Sequence, residues 1–226
     1  MKKGFVLGLI LIAVFITNVF AYKFWYKSPY DTQFKNVSKN ESAILIGAME
    51  ASEPDMVYSA IKRVGELKLT NARQRVYEWL GQTNPESVND ATTWRNVFRI
   101  SIWTLGYIGD EQSVLRLCAY WRRVRDKQAQ VLIIEALGNQ SDSTVALDKL
   151  NRLTKTIVDE RIAYVLVNAL LKHNSKTSMV PLMTMAADGR RVTGSSVGSS
   201  FSSRFKKYAN SAAAKIAKKG KRESTK

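Results

Sequence analysis

The stretch Ile102-Trp103-Thr104-Leu105-Gly106-Tyr107-Ile108-Gly109-Asp110-Glu111-Gln112-Ser113-Val114-Leu115-Arg116-Leu117 decides the fold, because its pattern returns. Ile102, Leu105, Gly106, Asp110 and Leu115 recur as Ile134, Leu137, Gly138, Asp142 and Leu147, each 32 residues later. A weaker copy follows 33 further on, with Val167, Leu170 and Val180 in the apolar places, Leu171 replacing Gly138 and Ser175 replacing Asp142. Within each copy the apolar residues fall three and four apart, the spacing of an amphipathic helix. A helix pair of this length cannot bury its apolar stripe alone, so neighbouring pairs stack and share one core. Gly106 and Gly138 are expected to end a helix or to let two helices pack closely, and Asp110 and Asp142 to cap the helix that follows.

Working outward, the same period holds from Glu41 to Ala187, as in Val57, Ile61 and Val64. Caps and stops interrupt it at Ser52-Glu53-Pro54, Thr70-Asn71, Thr83-Asn84-Pro85, Arg125-Asp126, Asp159 and Asn174-Ser175. No segment alternates apolar and polar residues between hairpin turns, so strands have no source and the body is expected to be all-α. Val57 to Gly65 and Val76 to Gly81 read as earlier, irregular helices of the stack. An insertion from Thr83 to Thr93 separates them from the clean copies and is a candidate partner contact.

The stretch Ile102 to Leu117, with Ala136-Leu137-Gly138-Asn139-Gln140-Ser141-Asp142, resembles the short HEAT-like repeats named after phycobilisome lyases. The likeness is good over 102–187 and poor before it. It implies a right-handed solenoid of stacked antiparallel helix pairs and a binding role, since many such proteins are adaptors. Some assist cofactor attachment or sense metals, and no residue here carries those roles.

Charge separates the ends from the middle. Residues 1–40 carry a net +5 and residues 188–226 a net +9, whereas 41–187 balance 18 basic against 16 acidic groups. A nearly neutral body with basic ends favours ends that meet an anionic surface; simple solubilisation is the competing reading. Met1-Lys2-Lys3 precedes an uncharged run from Gly4 to Tyr22, a targeting segment in style. As a helix its 19 residues would cover roughly 28 Å, about one hydrocarbon core. Tyr22, Phe24, Trp25 and Tyr26 among Lys23 and Lys27 suit an interfacial belt and favour an uncleaved anchor over residues 1–27. Cleavage near Ala21, giving a periplasmic protein, stays open. Either way the expected arrangement is a cytoplasmic amino terminus and extracytoplasmic repeats in a bacterial envelope, followed by a linker over 28–40.

At the other end, 188–200 reads as a Gly/Ser-rich joint and 201–226 as a basic tail able to form a helix. Phe201, Phe205, Tyr208, Ala212 and Ile216 fall at helical spacing. Arg204, Lys206, Lys207, Lys215, Lys218 and Lys219 are candidate contacts to anionic lipid or another envelope polyanion. In the body, Arg122, Arg123 and Arg125 are candidate contacts to a partner or an anionic surface. With the tail they also support a second reading, a nucleic-acid-binding repeat protein, against which the export segment argues.

The chemistry of an active site is missing. His173 is the only histidine and reads as a helix-end residue; Cys118 is the only cysteine and reads as a small core hydrophobe. Asp159 and Glu160 are adjacent, so on a helix they diverge by about 100° and cannot clasp a substrate between them. No phosphate-binding loop, nucleotide fingerprint or serine-hydrolase elbow occurs. The sequence therefore points to a scaffold at a membrane, without catalytic residue, metal or cofactor, with protein partners on the repeat surface.

Overall fold

The computed structural model describes residues 26–83, 92–187 and 201–223, with side chains as far as residue 219. Among these residues there are helices and no strand. The α-helices are α1 Asp31–Phe34, α2 Ser42–Ala48, α3 Pro54–Leu67, α4 Arg73–Gln82, α5 Thr92–Ile108 and α6 Glu111–Trp121. They continue as α7 Lys127–Asn139, α8 Thr144–Leu153, α9 Glu160–His173, α10 Met179–Ala187 and α11 Ser203–Glu223. Residues 1–25, 84–91 and 188–200 lie outside this description, and with them the apolar run 4–22, most of the insertion at 83–93 and the Gly/Ser-rich joint.

Local chemistry sets the boundaries. Pro54 opens α3, where its missing N–H costs nothing. Asp126 and Asp159 cap α7 and α9 by accepting from the amides of Gln128 and of Arg161 and Ile162. Asp110 and Ser113 close a reciprocal box at the start of α6. The expected cap at Asp142 is displaced by one residue: Ser143 accepts from the Ala146 amide, and Asp142 is exposed in the turn before it. Lys68 and Asn174 end α3 and α9 in the left-handed region, with φ of 56° and 50°.

Two layers result. The long helices α3, α5, α7 and α9 pack each on the next, and α11 follows α9. The shorter α2, α4, α6, α8 and α10 flank them, α6 against α8. The repeat glycines govern the distance between long helices. A Cβ on Gly106 would lie 2.8 Å from the Ala136 Cα, and one on Gly138 would lie 2.7 Å from the Ala169 Cβ. Both positions therefore serve close approach, the glycine of one helix meeting an alanine of the next.

One continuous core runs through the stack, from Phe34 and Val37 to Phe205 and Ile216. Two sequence expectations change here. Residues 28–40, read as a linker, belong to the packed body: Phe34 is buried, Ser59 and Lys62 bond Asp31, and the Arg63 guanidinium donates to the Val37 carbonyl. The basic carboxy-terminal segment is not decoupled either. Phe201, just before α11, and Phe205, Ala209, Ala212, Ala213 and Ile216 within it are each 3% exposed or less, and α11 packs against α9 and α10. The third repeat ends on an apolar surface that needs a cover, and α11 supplies it.

Candidate interaction surfaces

The exposed side of the long helices forms the first surface. Trp103 and Tyr107 of α5, Glu135 and Asn139 of α7, and Asn168 and Lys172 of α9 fall at equivalent places in the 32- and 33-residue repeat. Five of them, with Leu132 and Ala136, line a cavity of about 150 Å³. The Trp103 and Tyr107 rings are tilted, with centroids 4.7 Å apart, and the Lys172 ammonium donates to the Asn139 amide oxygen at 2.6 Å. Burial pushes the Tyr107 hydroxyl pKa up, aided by the Glu135 carboxylate, so at neutral pH it stays a neutral donor. Asn168 is occupied by the Tyr208 hydroxyl, which joins α11 to this face. The sequence signal for these positions is the same repeat offset applied one residue after Ile102 and one residue after Gly106.

The three arginines of the body are brought together as expected, in the turn between α6 and α7. Arg122, Arg123 and Arg125 are exposed, while Val124 between them is buried. Trp121 is half-buried on the core, as its repeat equivalence to Leu153 requires. The six tail cations divide. Arg204, Lys206 and Lys207 lie in the first turns of α11, near α9; Lys215, Lys218 and Lys219 lie two to four turns further along, where α11 passes α10. All are on the face away from the core except Lys206, which is half-buried.

A third feature is a polar node. Arg73 donates to the Ile108 carbonyl at 2.6 Å and to Asp110 at 2.9 Å, and the Tyr77 hydroxyl donates to Asp110 at 2.5 Å. Arg116 lies over the Tyr77 ring at 4.6 Å. Burial raises the Asp110 pKa, but Tyr77, the Ser113 amide and Arg73 together outweigh it and hold the carboxyl at about 2. Every group is engaged with a neighbouring helix, so the node couples α4, α5 and α6.

The remaining chemistry is sparse. Burial pushes the Cys118 thiol pKa up, against the opposing pull of Lys149 and Arg122, which keeps the sulfur protonated and poorly nucleophilic. The His173 Nε2 lies 2.9 Å from the Leu137 carbonyl, at the last residue of α9. Asp159 caps α9 and Glu160 holds Ser202, so the adjacent carboxylates act on different elements. Among the described residues no group of histidine, cysteine or carboxylate side chains is placed to hold a metal ion, and no helix is long and apolar enough to cross a membrane. Comparison with protein-family models and with curated proteins finds no match to this chain.

Proposed function

We propose that the chain is a non-enzymatic interaction scaffold, held at a membrane by its apolar amino-terminal segment and binding protein partners on its repeat surface. The observation that carries this reading is the row Trp103, Tyr107, Glu135, Asn139 and Lys172, one or two exposed or half-buried side chains on each of α5, α7 and α9 at equivalent repeat positions. A row of this kind, with paired aromatics beside polar groups, suits an extended protein contact; aromatic anchors dominate the energetics of such surfaces. The order of long and short helices fits a HEAT-like right-handed solenoid, with α1 and its neighbours at one end and α11 at the other. The basic face of α11 adds attachment to an anionic surface, and the bacterial envelope is the compartment that the charge and the apolar run suggest.

The reading is tested in the native host with a photoreactive amino acid at Tyr107, and in parallel at Gln112 on α6. A discrete protein adduct at Tyr107 that Trp103→Ala weakens, absent at Gln112, supports a partner on the long-helix face. Adducts to nucleic acid, or equal labelling at both positions, would replace this reading with the nucleic-acid-binding one or with none.

A further inference from the structure

The long helices point the same way, and this gives the molecule two unlike edges. Lys127 at the start of α7 bonds Asp159 at the start of α9 at 2.7 Å, while Asn139 and Lys172 meet at their ends. Glu160, opening α9, accepts from the Ser202 amide and hydroxyl at the start of α11. Arg73 at the start of α4 reaches the last carbonyl of α5, so α4 runs antiparallel to α5 and the ends of α3 and α5 share a side. One edge therefore collects the starts of α3, α7, α9 and α11 with the turns that lead into them.

That edge is where cations are left over. The side chains of Arg122, Arg123, Arg125 and Lys155 are exposed there and make no ion pair or hydrogen bond among the described residues; Lys27 and Lys207 are exposed on the same edge. The acids of the same edge keep their charge but are tied to neighbouring groups, two of them to the cations Arg99 and Lys127. Asp126 pairs with Arg99 and caps α7, Asp159 caps α9, Glu160 holds Ser202, Glu53 accepts from Tyr30, and Asp55 accepts from Tyr26. The opposite edge carries both signs, with Glu66, Asp110, Glu111 and Asp142 among Lys68, Lys172 and Lys176.

The described chain begins at the basic edge. Tyr26 and Ser28 bond Asp55 in the first turn of α3, and the Tyr58 hydroxyl donates to the Tyr26 carbonyl at 3.3 Å. Tyr26 lies four positions after Tyr22, at most about 14 Å of extended chain. We propose that this edge lies flat on an anionic bilayer, with Arg122, Arg123, Arg125 and Lys155 on lipid phosphates. The contact is electrostatic and does not insert, because the apolar face of α11 is already used in the core. The inference rests on the membrane-anchored reading and adds the orientation: the long helices then stand roughly upright on the bilayer, and the row that crosses them near their far ends is open to a partner from the side.

The test is amide exchange on the full chain reconstituted in vesicles of phosphatidylcholine alone or in equal mixture with phosphatidylglycerol. Retention in the vesicle pellet after carbonate washing reports the anchor separately. Expected is retention in both vesicles, with slowed exchange over 122–127 and 154–159 in the anionic ones only, fading as salt rises. R122E/R123E/R125E should lose that protection, and K68E/K176E, on the opposite edge, should keep it. Retention with protection that is equal in both vesicles, survives the arginine reversal, or falls on 109–111 and 140–143 overturns the orientation and leaves the anchor standing. Loss from the pellet overturns both. Stronger protection of 122–127 by a DNA duplex than by anionic lipid would assign the edge to nucleic acid instead.

Discussion

At Gly106 an added methyl group would meet the Ala136 backbone, whereas at Gly81 it would meet nothing within 4 Å. Gly106→Ala should therefore destabilise the protein by about 1–3 kcal/mol through forced separation of α5 and α7. Gly81→Ala, inside α4, should be neutral or stabilise by up to about 1 kcal/mol. Denaturant midpoints at constant slope separate the two, and equal effects would remove the close-approach argument. Leu137 is fully buried, so Leu137→Asp should lower the melting temperature far more than Arg123→Ala on the surface. Asp110 gives a pH dependence. Its folded pKa lies near 2, below the ordinary 3.8, so its contribution is complete above the ordinary value and is lost as pH falls through 2. Asp110→Ala should cost about 1–2 kcal/mol at neutral pH, the usual worth of a cap, and the gap from the parent protein should close toward pH 2. A gap that stays constant across the acid range would mean that the carboxylate is not what the node uses.

Among the elements, α11 departs most from what its sequence suggests. Phe201, Phe205, Tyr208, Ala212 and Ile216 were legible as one stripe, but a basic amphipathic helix looks the same whether its apolar side meets lipid or protein. The signal that distinguishes them is Ala209 and Ala213, small residues that widen the buried face and let a helix backbone sit close. Phe205→Ala should cost about 3–5 kcal/mol, and truncation after residue 200 should expose α9 and α10, seen as dye binding and a lower, broader melt. A truncated protein with an unchanged melting transition would restore the independent tail. The repeat was legible where buried residues enforce it, as in Ile102, Ile134 and Val167, all fully buried. It failed where they do not. Leu115 and Val180 share a repeat position on α6 and α10 yet are 55% and 71% exposed, because only the long helices have neighbours on both sides. The shift from Asp142 to Ser143 has the same origin: either side chain can cap, and the turn geometry selects between them.

For the whole molecule, all-α character and a shared core follow from the sequence period, while the surfaces do not. Arg122, Arg123 and Arg125 stood out as a charge run, but that they share an edge with Lys155 and Lys27 depends on helix direction, which no local pattern encodes. The row from Trp103 to Lys172 was present in the offsets, one step from the residues that were read. The glycine joints carry a consequence for how such a chain changes length. Each joint has two halves, a glycine that receives and an alanine that is received, and the segment from Tyr107 to Gly138 contains one of each, Ala136 and Gly138. A tandem duplication of that segment would present Ala136 of the copy to Gly138 of the original, and Gly138 of the copy to Ala169. One of these joints repeats the existing Gly138–Ala169 pair and the other sets Gly138 on Ala136, the glycine-on-alanine contact that Gly106 now makes, and neither terminal cover would be disturbed. Such a duplication would lengthen the stack by one whole layer and add another Glu135 and another Tyr107 to the row.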